Sequence, residues 1–564
     1  MFKRRLIVLI LLWLAGGALF LLANRAAYRC FFRPEDYVTM GRVAVTPALE
    51  LAQELASLEV SAANPRPLGE LFYLALDAAA GDKFPWWILA VHVLHLLLTG
   101  GVCILLLQLG IAPVGACAGA LLFLYHSAVL PIYWRPAGVY DLLCGVFCLL
   151  SILAYIRGRV LLSLLSFFLA LKSKEVALML PFVLAAYESR FGAKDWRRLV
   201  LFFILAFWMG LQAVIVWEEK SEEYSLAVGP QSVAHTAYYY LRHLFKTPVL
   251  ALVVLLIPGR WRDPRLRFGA VAMILLLVPM LLLPERMSGA FWYVPLIGFC
   301  IAAGALAEHR KPQHLALFFL VWWTWGYAQL RPFRSREFLA AAESREYFTA
   351  LSAHARGNPA DRRFVFEALP ANFNVPAVEG ALRYLYRNGE VSCGALDLAK
   401  APPEYWKTPV VLLGWDLADK KLFVLTRDPD QPYPDYIVLD GSAPVWSLTR
   451  GWLEPQPKFR WTLASATAML HQPAEARWFE ITLNVGPDQF REKGGAGVKV
   501  FLDGTLLGEA DFRETGWKTA RWELQRRKAG TVEVRLETPE RYQMPRGKLT
   551  PLGAAVMKFG FMAD

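Results

Sequence analysis

Charged residues are scarce in this chain and unevenly distributed. Only 19% of its 564 residues are charged, while 56% are hydrophobic, and a soluble protein of this length would carry more charge. The apolar residues are concentrated before residue 330, in repeated runs of roughly 18 to 22 residues that are long enough to span a bilayer. The composition therefore excludes a protein that is soluble throughout and predicts a polytopic α-helical membrane domain.

Cysteine is also scarce, and its spacing excludes the common cysteine-based sites. None of the seven cysteines forms a Cys-x-x-Cys pair, and most lie inside apolar runs, so neither a zinc site nor a disulfide framework is expected. A basic stripe with interleaved aromatic residues, which would follow a phosphate backbone, is lacking as well. Much of the formal net charge of +12 lies in short loops between apolar runs, where basic residues set membrane topology. Nucleic acid is therefore not expected as a partner.

The membrane domain begins with a basic N-terminus, Met1 to Arg5, followed by the apolar run Leu6 to Ala23. A signal peptide has the same order of features, but this run is long and lacks a clear small-x-small exit. We therefore interpret it as an uncleaved first transmembrane helix, which gives about eleven predicted spans together with ten later runs. The later runs are Trp86 to Leu107, Ile111 to Leu130, Val139 to Ile156, Val160 to Leu171, Val176 to Tyr187, Leu199 to Trp217, Ala234 to Ile257, Phe268 to Leu283, Phe291 to Ala307 and His314 to Leu330.

Two of these runs, Val160 to Leu171 and Val176 to Tyr187, are short for a membrane span. Only the segment Lys172 to Glu175 separates them. Two interpretations stay open for the pair: one broken helix or a re-entrant hairpin.

The charges of the predicted loops indicate the orientation of the membrane domain. With the N-terminus in the cytoplasm, the four cytoplasmic loops are short and rich in Lys or Arg, as the positive-inside rule requires. This orientation places Glu35, Asp36 and everything after Leu330 on the outer face. We therefore predict a multi-pass protein of a bacterial inner membrane, with a cytoplasmic N-terminus and a periplasmic C-terminal domain. The four loops are Arg157 to Arg159, Ser189 to Arg198, Gly259 to Arg267 and Glu308 to Gln313.

The first predicted outer loop contains two adjacent carboxylates, Glu35 and Asp36, within the stretch Phe31 to Tyr37. Desolvation at an apolar boundary raises the pKa of a carboxyl group, which suits a general base. An acidic pair in a polar loop is also commonly solvated surface, so the functional interpretation depends on the rest of the chain. Further along the loop, apolar residues recur every three to four positions from Leu68 to Leu76, which predicts an amphipathic helix in the membrane interface.

The composition changes after residue 330. We predict an outer-face α/β connecting region over residues 331–450, with helices at Arg331 to Gly357 and Val375 to Arg387. Residues 451–564 alternate in polarity and contain the hairpin signal Asp503-Gly504, which predicts a β-sandwich. Its tryptophans are interpreted mainly as core residues, with carbohydrate binding as the alternative. The predicted strands are Trp478 to Val485, Val498 to Leu502, Arg521 to Leu524 and Val532 to Leu536.

Five motifs in the first 330 residues together resemble the GT-C superfamily of membrane glycosyltransferases. The likeness is greatest to the protein O-mannosyltransferases, the TPR-bearing O-mannosyltransferases and their bacterial relatives. Val139 departs from the pattern, because the family usually has an arginine there, and Arg135 could substitute for it. Neither TPR repeats nor a β-trefoil follows the membrane part, so the acceptor class stays open. The motifs are Glu35-Asp36, Arg66-Pro67-Leu68 with His92 to His95, His126 to Asp141, Ser173-Lys174-Glu175 with Pro181, and Glu285-Arg286 with Tyr293-Val294-Pro295 and Gly298-Phe299.

The resemblance implies that a sugar moves from a polyprenyl-phosphate carrier to an acceptor hydroxyl on the outer face. It implies that Asp36 is the general base, and that Glu35 either assists Asp36 or is the second candidate for the base. The leaving phosphate needs positive charge close to it. Arginine supplies this charge and can donate two parallel hydrogen bonds to phosphate oxygens. Each cationic candidate could instead set the membrane topology or lie at the membrane interface without binding substrate. The implied substrate-binding residues are Arg66, Arg135, Asp141, Lys174, Glu175, Arg286 and Tyr293.

The expected partners follow from this resemblance. They are a polyprenyl-phosphate-linked sugar, membrane lipids and a glycan, lipid or protein acceptor. No cofactor is expected besides the lipid-linked donor, which is a substrate, and we predict no metal because only one acidic pair is visible. His92 and His95 are interpreted as packing or hydrogen-bonding residues. Two other function classes stay open: a transporter or flippase of lipid-linked glycans, although the matched halves typical of transporters are not visible, and a non-catalytic membrane scaffold.

Overall fold

The computed structural model describes most of the chain, and its contacts divide it into two compact units. The units are Met1–Ala341 and Ala342–Asp564. The predicted domain boundaries at residues 330 and 450 stay predictions. The described residues are 2–61, 66–218, 227–245, 262–370, 372–396, 410–416, 419–427, 431–439, 445–525, 529–539 and 552–563.

The first part of the chain is helical. Several of its helices begin at a proline, whose fixed φ angle suits the first helical position and whose missing N–H is not needed there. The helices are α1 (Phe2–Ala23), α2 (Pro34–Val45), α3 (Ala48–Ala56), α4 (Pro67–Ala80), α5 (Phe84–Gln108), α6 (Pro113–Tyr125), α7 (Leu130–Tyr133), α8 (Val139–Ile156), α9 (Val160–Leu171), α10 (Leu180–Arg190), α11 (Val200–Glu218), α12 (Pro230–Phe245), α13 (Pro264–Leu281), α14 (Pro295–Ala307), α15 (Pro312–Gln329) and α16 (Arg331–Gly357).

Five helical segments of the described residues are long and apolar enough to cross a membrane, and we treat this unit as a multi-pass membrane domain. The count of eleven spans stays a prediction. The predicted span Ala234 to Ile257 and the predicted loop Gly259 to Arg267 lie partly outside the described residues. The five segments are Phe84–Gln108, Pro113–Tyr133, Pro136–Ile156, Trp196–Ile215 and Pro264–Leu281.

Helices α13 and α14 pack closely through two glycines. A Cβ atom on Gly269 or on Gly298 would overlap backbone atoms of the facing helix. Small residues at a helix interface let two backbones approach, and this is how apolar helices associate without a hydrophobic driving force in lipid.

The two short runs around Lys172 form two separate helices, α9 and α10. A 3-10 turn, Glu175–Met179, precedes α10. The Lys172 ammonium donates to the backbone carbonyls of Glu54 at 3.1 Å and Glu59 at 2.9 Å, so the segment between the helices is tied to the end of α3 and to the residues that follow it. The helix predicted from Leu68 to Leu76 is confirmed as part of α4, while its position in the membrane interface stays a prediction.

The described residues of the second part of the chain form two sheets. The first is four-stranded, with the order β2-β1-β3-β4; β1 runs parallel to β2 and β3, while β3 and β4 are antiparallel. The predicted helices over Arg331 to Gly357 and from Val375 are confirmed. The elements are β1 (Arg363–Phe366), α17 (Val375–Tyr386), β2 (Ser392–Ala395), β3 (Val410–Asp416) and β4 (Lys421–Arg427).

The second sheet has nine strands along the path β10-β9-β12-β7-β13-β8-β11, with β5 paired to β13 and β6 to β7. Its first and last strands approach each other, since a Cβ on Gly508 of β10 would meet the Trp522 ring of β11. The sheet therefore curls around its core. The elements are β5 (Tyr436–Val438), β6 (Leu448–Gln456), β7 (Phe459–Gln472), β8 (Trp478–Val485), α18 (Pro487–Lys493), β9 (Ala496–Leu502), β10 (Thr505–Phe512), β11 (Gly516–Glu523), β12 (Gly530–Glu537) and β13 (Ala555–Met562).

The core of the second sheet is built by alternation along the strands. Phe479, Ile481 and Leu483 of β8 are fully buried. Trp452 is 1% exposed and stacks on Phe559 at 5.5 Å between ring centroids, which confirms it as a core residue. The order predicted from the sequence, a helical membrane part followed by a β-rich C-terminal region, is confirmed.

Candidate active site

The acidic pair lies at the start of α2. Helix α1 ends at Ala23, a 3-10 turn (Arg25–Arg29) follows, and Arg33 precedes α2 in an extended conformation. The Asp36 carboxylate accepts a hydrogen bond from the backbone N–H of Arg33 at 2.7 Å. Asp36 therefore caps the helix, because it satisfies a backbone donor that has no partner within the helix.

Asp36 is fully buried. Its second oxygen accepts a hydrogen bond from the Tyr73 hydroxyl at 2.6 Å. Burial, together with the neighbouring charge of Glu35, raises the pKa of Asp36 to about 7, although the hydrogen bonds from Tyr73 and Arg33 oppose the shift. A carboxyl group with this pKa exchanges a proton at neutral pH, which is the property required of a general base.

Glu35 differs from Asp36 because its side chain is exposed. It accepts a hydrogen bond from Arg135 at 3.0 Å, and Arg135 also donates to the buried Glu337 of α16, from Nε at 3.0 Å. Burial alone would lower the pKa of Arg135, but Glu337 and Glu35 raise it above its ordinary value. The structure therefore places the predicted site residues Glu35 and Arg135 in contact, which was not predicted, and adds Glu337, which the sequence motifs did not indicate.

Arg66 forms a bidentate ion pair with Glu175, at 2.8 and 2.9 Å. Burial opposes the ionisation of Glu175, but Arg66 outweighs it and holds the pKa of Glu175 below its ordinary value. The Arg66 guanidinium also lies 5.9 Å from the centre of the Tyr140 ring. This contact connects the pair to α8, the helix that carries Asp141.

Lys174 forms an ion pair with Asp141 at 2.6 Å, and its ammonium lies 4.7 Å from the centre of the Phe291 ring. Asp141 and Lys174 are both buried. The Tyr293 hydroxyl is 2.7 Å from Nδ1 of His95. The sequence-predicted residues of these two motifs are therefore joined to specific partners inside the helical unit.

The remaining predicted residues have simpler environments. His92 is hydrogen-bonded to the Tyr28 hydroxyl at 3.0 Å and to the Tyr133 carbonyl at 2.9 Å, which confirms its interpretation as a hydrogen-bonding residue. Arg286 is half-buried in the 3-10 turn Pro284–Arg286.

Tyr73 and Tyr140 connect the acidic pair to the ion pairs, and neither was among the predicted site residues. Their rings stack with centroids 6.4 Å apart, and the Tyr140 hydroxyl is 3.0 Å from the Thr39 hydroxyl of α2. The helical spacing of α4 placed Tyr73 on its apolar face but did not show that its hydroxyl would reach Asp36.

The helical unit also contains an apolar groove of about 990 Å³. It lies between α1, α6 and α15, and its walls include Leu22, Tyr125 and Trp323. Arg25 and Arg29 of the 3-10 turn after α1 also line the groove, and both are exposed. A concave apolar surface with cations at one end is chemically complementary to an anionic lipid.

Arg33 is a further cation that the sequence motifs missed. It is 8% exposed. Within the described ranges, its buried Nε atom has no hydrogen-bond partner. Because a buried donor without a partner is costly, this atom is a candidate contact for an anionic ligand near Glu35 and Asp36.

Among the described residues, one group of side chains brings possible metal-ligand atoms within 4.8 Å of one another: Asp263, Glu308 and His309. Arg265 donates hydrogen bonds to both carboxylates, and the backbone N–H of Ala112 donates to Glu308 at 2.8 Å. These contacts explain why the three side chains lie together: they belong to an ion-paired contact between helix ends.

Comparisons with known proteins give distant likenesses. No protein-family model matches the sequence, and no curated protein matches it. One similar solved structure is ArnT from Cupriavidus metallidurans bound to undecaprenyl phosphate, with 13% identity, 75% of this chain and 99% of ArnT covered, and a TM-score of 0.46. A second is the arabinofuranosyltransferase AftD from Mycobacteria, with 12% identity, 97% of this chain covered and a TM-score of 0.44; this chain spans 58% of AftD. Likenesses at this level carry no argument about what the chain does.

Proposed function

We propose that the protein is an integral-membrane glycosyltransferase of GT-C type. It transfers a sugar from a polyprenyl-phosphate carrier to an acceptor hydroxyl on the periplasmic face. The observation that carries the proposal is the environment of Asp36, a buried carboxyl group whose pKa is raised to about 7 beside an accessible acid and several cations.

The reaction requires a base and an anion site close together. The acceptor oxygen forms a bond to C1 of the sugar while the bond between C1 and the phosphate oxygen breaks. The electron pair of the broken bond leaves with the polyprenyl phosphate, and the acceptor proton passes to the base. Asp36 is the proposed base because its pKa lies near the pH at which it would work.

Asp36 and Glu35 differ in what each offers the acceptor. Each Asp36 oxygen accepts one hydrogen bond, so each keeps a second lone pair for the acceptor proton. However, Asp36 has no exposed surface, so side chains around it must move before an acceptor reaches it. Glu35 is exposed and is the alternative base, while in the proposed mechanism it positions Arg135.

The cations of the helical unit have different roles in the proposed binding of phosphate. Arg66 and Lys174 are each paired with one carboxylate, so neither pair carries net charge. Arg25 and Arg29 are exposed in the groove wall, and we assign them to the phosphate, with the isoprenoid chain lying along the apolar walls. Arginine suits this role because its guanidinium presents a planar fork to phosphate oxygens.

The test is sugar transfer by the full-length protein in lipid nanodiscs. Mass spectrometry of glycans and membrane lipids from cells with and without the protein first identifies the sugar and the acceptor. Transfer is then measured from the corresponding undecaprenyl-phosphate sugar. Asp36→Asn is expected to reduce the rate by about 10² to 10⁴-fold, the range that a general base contributes.

The control is Glu50→Gln, which removes an exposed carboxylate from the first turn of α3 and should leave the rate unchanged. Glu35→Gln should retain measurable transfer. Wild-type turnover by the Asp36→Asn protein would overturn the assignment of the base.

A further inference from the structure

The curled sheet of the second unit carries an aromatic cluster on the face that its core does not use. Alternation along β8 directs Phe479, Ile481 and Leu483 into the core, so Asn484 lies on the opposite face. The strands beside it, β11 and β13, present their own outward residues next to it, because residues directly opposite each other in antiparallel strands share a face.

Three rings form this cluster: Phe459, Trp461 and Trp517. The Phe459 centroid lies 5.9 Å from that of Trp461 and 6.0 Å from that of Trp517, with interplanar angles of 84° and 65°. Edge-to-face contacts of this kind fix the rings relative to one another. Trp517 is nevertheless 41% exposed, so part of its ring is accessible to a ligand.

The strand register places two small residues between the two tryptophans. Trp461 of β7 lies opposite Ala555 of β13, Ala555 lies opposite Asn484 of β8, and Asn484 lies opposite Trp517 of β11. The four positions form one row across the sheet. The row therefore has aromatic ends; between them Ala555 is 1% exposed, and Asn484 contributes a half-buried side-chain amide.

Polar side chains continue along the same face. The Thr482 and Thr519 hydroxyls are 2.8 Å apart across β8 and β11. Thr519 is exposed, so its hydroxyl is available to a ligand as donor or acceptor.

A buried carboxylate fixes the next three polar groups. Glu480 is 2% exposed and accepts hydrogen bonds from the Tyr436 hydroxyl at 2.6 Å and from Arg521 at 2.7 Å. It also pairs with Lys558 at 3.1 Å. The side chains of Arg521 and Lys558 are 54% and 37% exposed, so both have further donors for a ligand. Donors held in place before binding lose less entropy when a ligand arrives.

We propose that this face binds a pyranose oligosaccharide. The apolar C–H face of a sugar ring packs on an aromatic ring, and the hydroxyl groups at its edge need donors and acceptors such as Asn484, Thr519 and Arg521. This combination discriminates against a lipid surface, because placing Asn484, Thr519 and Arg521 among acyl chains would leave polar groups unsatisfied. We name the surface, with Phe459, Trp461 and Trp517, the sugar-binding face.

The proposal is independent of the transfer reaction. Binding is measured by titration calorimetry on the full-length protein in nanodiscs, with three hexasaccharide probes: cellohexaose, β-1,4-mannohexaose and hexagalacturonate. At least one probe should bind the wild-type protein. Trp517→Ala should weaken that binding roughly tenfold or more, as removal of a central aromatic contact does. Asp36→Asn should bind the probe as the wild type does, whatever its transfer activity.

The matched control is Phe490→Ala, which removes a 37% exposed aromatic side chain from α18 of the same unit and should leave binding unchanged. Asn484→Ala tests the middle of the row with a smaller change and should also weaken binding. If hexagalacturonate is the probe that binds, Arg521→Ala should reduce its binding selectively.

Three results would overturn the proposal. The first is that none of the three probes binds the wild-type protein. The second is that Trp517→Ala and Asn484→Ala both bind as tightly as the wild type. The third is that brominated phosphatidylcholine in the nanodisc quenches wild-type tryptophan fluorescence more than that of Trp517→Phe, since this would place Trp517 in lipid.

Discussion

Two buried carboxylates, one in each unit, have pKa values shifted in opposite directions. Asp36 is fully buried and Glu480 is 2% exposed. Burial, with the charge of Glu35, raises the pKa of Asp36 to about 7. Burial also opposes the charge of Glu480, but Tyr436, Arg521 and Lys558 together hold its pKa below the ordinary value.

The two carboxylates differ in their partners. Asp36 accepts its hydrogen bonds from a neutral hydroxyl and a backbone N–H, whereas Glu480 contacts two cationic side chains. Neutral donors only partly offset the desolvation of a charge, while a cation at hydrogen-bond distance offsets it more fully. A buried acid with neutral partners can exchange protons at neutral pH, and one with cationic partners serves to hold those partners in place.

The largest expected effect is on transfer. Asp36→Asn replaces the carboxylate by an amide of the same shape, so the rate should fall by about 10² to 10⁴-fold. The amide keeps an oxygen acceptor and carries no charge that burial would penalise, so the thermal midpoint at pH 7 should not fall below that of the wild type. A large fall of the midpoint would show that Asp36 is needed for folding rather than for proton transfer.

A third buried carboxylate, Glu367, extends the comparison to a fully buried ion pair. Its side chain is 5% exposed and that of its partner Arg460 is 4% exposed. Glu367→Ala leaves the guanidinium buried and unpaired, which should cost about 3 to 5 kcal/mol in free energy of unfolding. The loss in free energy of unfolding is measured by urea titration of the full-length protein, with unfolding monitored by tryptophan fluorescence.

The control for that measurement is Glu343→Ala in the same unit. Its partner Lys420 has a side chain that is 57% exposed, and a solvated pair of this kind contributes about 0 to 1 kcal/mol. Equal losses in the two variants would show that burial of the pair is not what determines its contribution.

Parts of the fold and of the candidate site could be predicted from local patterns. Strand β8 begins and ends where alternation predicted, at Trp478 and Val485. Asp503 and Gly504 both have positive φ angles, 48° and 80°, as the hairpin signal required. The position of Glu35 and Asp36 after the first helix followed from hydropathy, because the end of an apolar run shows where the helix ends.

The partners in the site could not be predicted, because they come from distant parts of the chain. Arg135 and Glu337 are 202 residues apart in sequence, and Arg66 and Glu175 are 109 apart. No local periodicity encodes such a contact. The different exposure of Glu35 and Asp36 depends on the helical phase of α2, in which neighbouring side chains point about 100° apart.

The two shifted acids should give stability changes of opposite sign with pH. A group whose folded-state pKa is raised contributes stability that is present below its unfolded value and is lost as pH rises through the folded value. The wild type should therefore lose stability relative to Asp36→Asn by on the order of 1.4 kcal/mol per unit between about pH 4 and pH 7. Thermal midpoints of the two proteins, recorded at half-unit intervals, measure the difference.

Glu480 should show the reverse dependence, because its folded-state pKa is lowered. Its contribution is present above the unfolded value and is lost as pH falls through the folded value. The wild type should therefore lose its advantage over Glu480→Gln only on acidification below about pH 4.3. The same pH dependence in both comparisons would contradict the assigned partners.

The smallest expected effect separates the two candidate bases. Tyr73 donates to Asp36 and lowers its pKa, so Tyr73→Phe should raise that pKa further, by less than about one unit. The acidic limb of the rate profile should then move to higher pH if Asp36 is the base. Tyr140→Phe is the matched control, because its hydroxyl bonds Thr39 instead. If Glu35 takes the proton, the limb should stay in place in both variants, because the Tyr73 hydroxyl bonds Asp36 and not Glu35.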